Sequence, residues 1–271
     1  MNLKRLTRLS AAGILMSTVL ATAASAASVQ VTITNNSTAG GLYYTPFLNV
    51  FHDGSYSPFK LGEAADSSLE TLAEVGNVAA EDAAARAEVP GARTITLADP
   101  AGFGSAPGQP PVFDPGNSNS FTIDLDSTAN RYLTILSMAI PSNDTFLSAT
   151  FELFDDAGNF SATKAILGAG SVYDAGTEIN QSFGQAFNPS DGNGPGFLGD
   201  DENGVVHKSS LLEFASLFGQ SIPTGGITSS NGVDLNNLVS VEVSDVPLPA
   251  GAPLLLAGLG VLGWMRRRKT N

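Results

Sequence analysis

An all-β fold, an antiparallel β-sandwich with short helical insertions, is predicted by three features of the sequence. Short runs rich in β-branched and aromatic residues recur along the chain, several of them alternating apolar with polar positions. Clusters of Gly, Pro, Asn and Asp separate these runs, as in "PAGFGSAPGQPPVFDPGNSNS". Helical patterning is confined to two segments, 63–89 and 208–218. Many short strands with few helices bury their apolar faces best as two packed sheets.

The first 26 residues stand outside that fold. Lys4, Arg5 and Arg8 precede the uncharged run "AAGILMSTVLATAASA", which ends in Ala24-Ser25-Ala26, the three parts of a secretory signal peptide. Strand expectations then follow in order. "VQVTITN" points Val29, Val31 and Ile33 to one side. "YYTPFLNVF", "RTITLA", "SFTIDL", "RYLTILSMAI", "TFLSATFELF" and "LVSVEVSD" are the others. The segment 188–204, "NPSDGNGPGFLGDDENG", is an expected loop whose Asp191, Asp200, Asp201 and Glu202 are oxygen donors without EF-hand register. Residues 27–245 are long enough for one large domain with its own core.

Charge narrows the partners. All 26 acids lie in that body, against six of the chain's 13 Lys and Arg. So acidic a surface disfavours nucleic acid and anionic lipid, which need clustered bases, and favours cations. The chain has no cysteine, which excludes disulfides, thiol catalysis and cysteine-ligated zinc.

One stretch invites a cation. "VYDAGTEIN" places Asp174 and Glu178 four positions apart around Gly176, at the end of a strand-like run. Calcium takes six to eight oxygens from carboxylates, backbone carbonyls and water, and a turn of this kind supplies about half of them. "IPSND" offers the second turn, because Pro141 ends a strand and Asp144 follows. If the two strands are neighbours, Asp144 faces Asp174 and Glu178. The plainer alternative is a pair of solvated turns, in which such acids are common.

The body resembles the spondin N-terminal domain, found in F-spondin and in many bacterial exported proteins. The resemblance covers 28–245 and is carried by "VQVTITN", "FHDGSYSPFKLGEAADSSLETLAEVG", "LSMAIPSND", "YDAGTE", "DENGVV" and "LVSVEVSD". It implies a C2-like β-sandwich with a calcium ion at one end. Matched residue by residue, the implied ligands are Asp144, Asp174, the Gly176 carbonyl and Glu178, the last standing where the family usually has Asp. Thr145 replaces a frequent aromatic.

The segment 246–271 is similar to the VPLPA variant of PEP-CTERM sorting tails. A short motif at 246–250 precedes an uncharged run through residue 265, and Arg266, Arg267, Arg268 and Lys269 follow. The run is just long enough to cross a bilayer as a helix. The resemblance implies an exosortase-type processing enzyme as partner, with an inner-membrane intermediate before the cell surface or exterior. A permanent single-span anchor is the alternative. Gly258, Gly260 and Gly263 spell a dinucleotide fingerprint without the strand or the distal acid that one requires.

No enzyme is expected. The chain has two histidines, His52 and His207, and no nucleophile-elbow motif. The expected function is an exported, calcium-binding adhesion module for a surface protein or exopolysaccharide. The alternative is a secreted carboxylate-based glycosidase or glycan-binding protein, with Tyr43, Tyr44, Tyr56, Tyr132 and Tyr173 as stacking platforms.

Overall fold

A computed structural model describes residues 26–102, 111–181, 198–209 and 233–246. Two antiparallel sheets build the body. The first contains β1 (Ala26–Asn35), β5 (Ser118–Asp126), β8 (Thr163–Leu167) and β11 (Val239–Asp245), in the order β5-β1-β11-β8. The second contains β2 (Tyr43–Tyr44), β3 (Phe47–His52), β4 (Arg93–Leu97), β6 (Tyr132–Ile140), β7 (Thr145–Glu152), β9 (Val172–Asp174) and β10 (His207–Lys208). Its order is β10-β9-β7-β6-β3-β4, with β2 beside β6. The expected sandwich is present.

The two sheets read differently in sequence because they are buried differently. In β1 and β11 one face is solvated, so Val29, Val31 and Ile33 alternate with polar residues, as do Val239, Val241 and Val243. These side chains pack against Phe47, Phe51, Leu133, Ile135 and Leu147 of the second sheet. The second sheet is covered on its other face too. Leu48, Val50, Leu136 and Phe146 meet Leu69, Leu72 and Ala73 of α1 (Ser67–Val75) and Ala85 of α2 (Ala79–Glu88). A strand buried on both sides needs apolar residues at successive positions, which explains "YLTILSMAI".

The helical pattern over 63–89 divides into these two helices at Gly76. Asp66 caps α1 by accepting the N–H groups of Ser68 and Leu69, and Gly76 ends it at φ 68°. A Cβ on Gly76 would stand 2.2 Å from Thr45 Cγ2. Gly76→Ala therefore combines a left-handed backbone penalty with overpacking. It is expected to cost about 2–4 kcal/mol, read as a lower urea midpoint at unchanged slope.

Of the segment 208–218, expected to be helical, Lys208 lies in β10, paired with Tyr173, and 210–218 lies outside the described residues. Extended backbone at Lys208 is imposed by the sheet edge formed by β9. The acidic segment 188–204 is described from residue 198 onward. There it is held to the 176–179 turn by three backbone bonds: Ile179 N–H to Asp200 O and Glu202 N–H to Thr177 O, which form the Glu178–Asp201 bridge, and Gly204 N–H to Gly176 O. Of the expected signal peptide 1–26, residues 1–25 lie outside the described residues and Ala26 is the first residue of β1, paired with Asp126; of the tail 246–271, all but Val246 lies outside them. Among the described residues no helix is long and apolar enough to cross a membrane.

Candidate metal centre

Two turns meet at one end of the sandwich, as the sequence leads one to expect. β6 ends at Ile140, the Ile140–Pro141 peptide is cis, and Ser142, Asn143 and Asp144 lead directly into β7. β9 pairs with β7 so that Asp174 lies opposite Thr145. Ala175 N–H then donates to Asp144 O at 3.1 Å. The chain turns at Gly176, φ 68°, where a side chain would collide with the Val205 backbone at 2.6 Å.

Asp144, Asp174 and Glu178 are all buried, at 0%, 0% and 1% exposure. Their oxygens are used differently. Asp144 Oδ2 accepts from Thr177 N at 2.7 Å, Thr177 Oγ1 at 3.2 Å and Glu178 N at 3.0 Å. Its Oδ1 has no hydrogen-bond partner among the described residues. Glu178 Oε1 accepts from Gly199 N–H; Glu178 Oε2 meets no donor at hydrogen-bond distance among the described residues, although the nearby Asn143 side chain favours the charged carboxylate. Asp174 shapes its own loop, accepting from Gly176 N at 2.7 Å and Asn180 Nδ2 at 2.6 Å. The Gly176 carbonyl accepts from Gly204 N at 2.7 Å, which leaves it one lone pair.

A fourth acid belongs to this cluster. Glu74, on α1, is 6% exposed and lies within electrostatic reach of Asp144 and Glu178. The helical pattern gave no warning of it, because Leu69, Leu72 and Ala73 define the buried stripe and Glu74 falls beside it. Hard oxygen donors are thus present in kind. Among the described residues, however, no group of three or more His, Asp or Glu side chains is disposed to hold a metal ion.

Burial dominates the electrostatics. It pushes Glu178 up to about 8, with the charges of Glu74 and Asp144 adding and the Gly199 N–H opposing. Glu74 rises to about 7, again chiefly through burial. Asp144 is raised for the same reason, despite three donors on Oδ2. Between about pH 4.5 and 8 the folded chain therefore retains protons that the unfolded chain has released. Stability in the absence of metal should be greatest below that window and fall as pH rises through it. Melting in chelator at pH 5 and pH 8 checks this, with the lower Tm expected at pH 8.

Beside the turn lies an open cavity of about 260 Å³, lined by Ala64, Glu70, Thr177, Asp201 and Asn203 among others. Its charged walls are acidic. Of the two histidines, His207 borders the site: it pairs with Asp174 across β10 and β9, with Nδ1 3.8 Å from Asp174 Oδ1. His52 Nδ1 accepts from Gly54 N–H at 3.1 Å, which fixes the proton on Nε2 toward Thr134 Oγ1 at 2.9 Å. His207 is exposed, with Nδ1 3.1 Å from Val205 O. Of the tyrosines, Tyr43, Tyr44 and Tyr56 are buried. Tyr132 stacks on His52, and Lys208 Nζ sits 3.6 Å over the Tyr173 ring. Tyr56 and Tyr173 line one small cavity of about 130 Å³ together with Phe59.

Comparison with known families concerns the tail. Residues 245–269 match the PEP-CTERM protein-sorting motif. The chain is therefore an exported protein sorted through its C-terminal tail, and such tails are recognised by exosortase. Its export route passes through processing at the membrane. No curated protein matches the chain.

Proposed function

We propose that this protein is a non-enzymatic interaction module of the cell surface or extracellular matrix, whose apical turns are clamped by a calcium ion. The observation that carries the reading is a pair of buried carboxylate oxygens, Asp144 Oδ1 and Glu178 Oε2, on adjacent turns, which meet no hydrogen-bond donor among the described residues. A buried acceptor left without a donor is costly, and a divalent cation or a proton relieves it. Asp144 and Glu178 would hold the ion. Asp174 would keep Gly176 in its turn, and the spare lone pair of the Gly176 carbonyl is available as a ligand. Glu74 adds negative charge behind them. The resemblance of 28–245 to the spondin N-terminal domain supports the same assignment.

Calcium bound there supplies charge neutralisation and a cross-link between the 142–144 and 175–178 turns. The side chains must close by a small movement to do so, since they do not yet converge on one point. Extracellular modules of this kind bind calcium at about 10⁻⁴–10⁻³ M. Ten-fold saturation then adds about 1.4 kcal/mol, or about 3–5 °C for a body of this size. A thermal melt of residues 27–246 in calcium and in chelator tests the reading. Identical curves at pH 8 would refute it.

A further inference from the structure

The two ends of the body lie side by side. β1 and β11 pair antiparallel from Val29↔Asp245, and Val246 N–H donates to Ser28 O at 2.8 Å. The same end carries the turn after β5, where Asn130 Nδ2 reaches Gly91 O at 3.0 Å and Phe51 O at 3.4 Å. The 155–158 turn joins it around a cavity of about 360 Å³ lined by Asp53, Ser127, Thr128, Arg131 and Asp156 among others. The carboxylate turns sit at the opposite end. β6 begins at Tyr132, paired with His52, and its nine residues carry the chain about 30 Å before Asp144 is reached.

The tether is short. Val246 is fixed by Ser28, and Pro247 alone separates it from the uncharged run 248–265. One or two extended residues reach no further than about 7 Å.

We propose that, while the tail spans the membrane, the body stands on the lipid headgroups on its Ser28–Asp126–Asp156 end and presents the carboxylate turns outward. This rests on the sorting reading of the tail and is independent of calcium. Tether length imposes the contact, since attraction cannot: Asp53, Asp124, Asp155, Asp156 and Asp245 are exposed at this end. Of the two bases among them, Arg131 is already engaged by Glu152 and Asp156, and Arg93 donates to the Asp124 carbonyl, leaving five exposed acids against two bases. Anionic headgroups would repel such a surface. A partner arriving from outside would therefore meet the carboxylate end, and the processing enzyme would work beside the other.

Because the chain has no cysteine, single labels can be placed at will. Residues 27–271 carrying Thr128→Cys or Leu61→Cys, both at exposed positions, would be labelled with a small fluorophore. They would then be reconstituted in phosphatidylethanolamine–phosphatidylglycerol vesicles with a headgroup nitroxide quencher. Quenching several-fold stronger at position 128 than at 61, equalised by detergent, is expected. A flexible insert of about 20 Gly and Ser residues after Val246 should abolish the difference. Equal quenching, stronger quenching at 61, or a difference that survives the insert would overturn the proposal. A chain that does not float with the vesicles would sink the membrane reading of the tail and the proposal with it.

Discussion

Asp144→Ala is expected to destabilise the body by about 2–4 kcal/mol in chelator and to abolish its response to calcium. The stability loss follows from what Oδ2 does. It receives two backbone N–H groups and one hydroxyl at a position with 0% exposure, and alanine leaves those donors buried without acceptors. Each orphaned donor costs about 1–3 kcal/mol, offset in part because a buried charge near Glu178 and Glu74 is removed. Asp144→Asn separates the two roles. It keeps an acceptor for Thr177 and Glu178, so its melt in chelator should match the parent or lie above it. It removes the negative charge an ion needs, so added calcium should leave that melt unmoved. A calcium shift that persists in Asp144→Asn would place the ion elsewhere.

Ending the chain after Val246 should change location completely and stability hardly at all. The truncation removes the uncharged run, the Arg266–Lys269 cluster and all but the first residues of the matched sorting motif. It keeps β11 and the Val246–Ser28 hydrogen bond, so both sheets remain closed. Fractionation of cells should find the shortened protein in soluble fractions, with no tail-processing product, and its melt should overlay that of the processed protein. Retention in the membrane fraction would mean that the body carries its own anchor.

How much of this was legible in the sequence depends on burial. β1 and β11 announced themselves because each has one wet face, so their valines alternate. β8 gave no signal, because Ile166 points to solvent while Ala165 faces inward, inverting the usual pattern. β10 is two residues long and exists only as an edge partner of β9. The helical segment was read as one piece because nothing in its periodicity shows that Gly76 must press against Thr45. At the site, Pro141 and Gly176 marked both turns, and the pairing of β7 with β9 brought them together. Sequence could not say that Asp174 turns its oxygens to Gly176 and Asn180, while Asp144 and Glu178 each keep one without a donor among the described residues. That division depends on which amides the folded loops present. Glu74 was hidden for a related reason: a carboxylate beside a helix's apolar stripe looks solvated until another loop closes over it.

The most direct test of the calcium clamp is a calorimetric titration of calcium into residues 27–246 at pH 8, where Glu74 and Glu178 are losing their protons. One site with a dissociation constant of about 10⁻⁴–10⁻³ M, accompanied by proton release and absent from Asp144→Asn, is the predicted result. No saturable heat, or the same isotherm in Asp144→Asn, would contradict it.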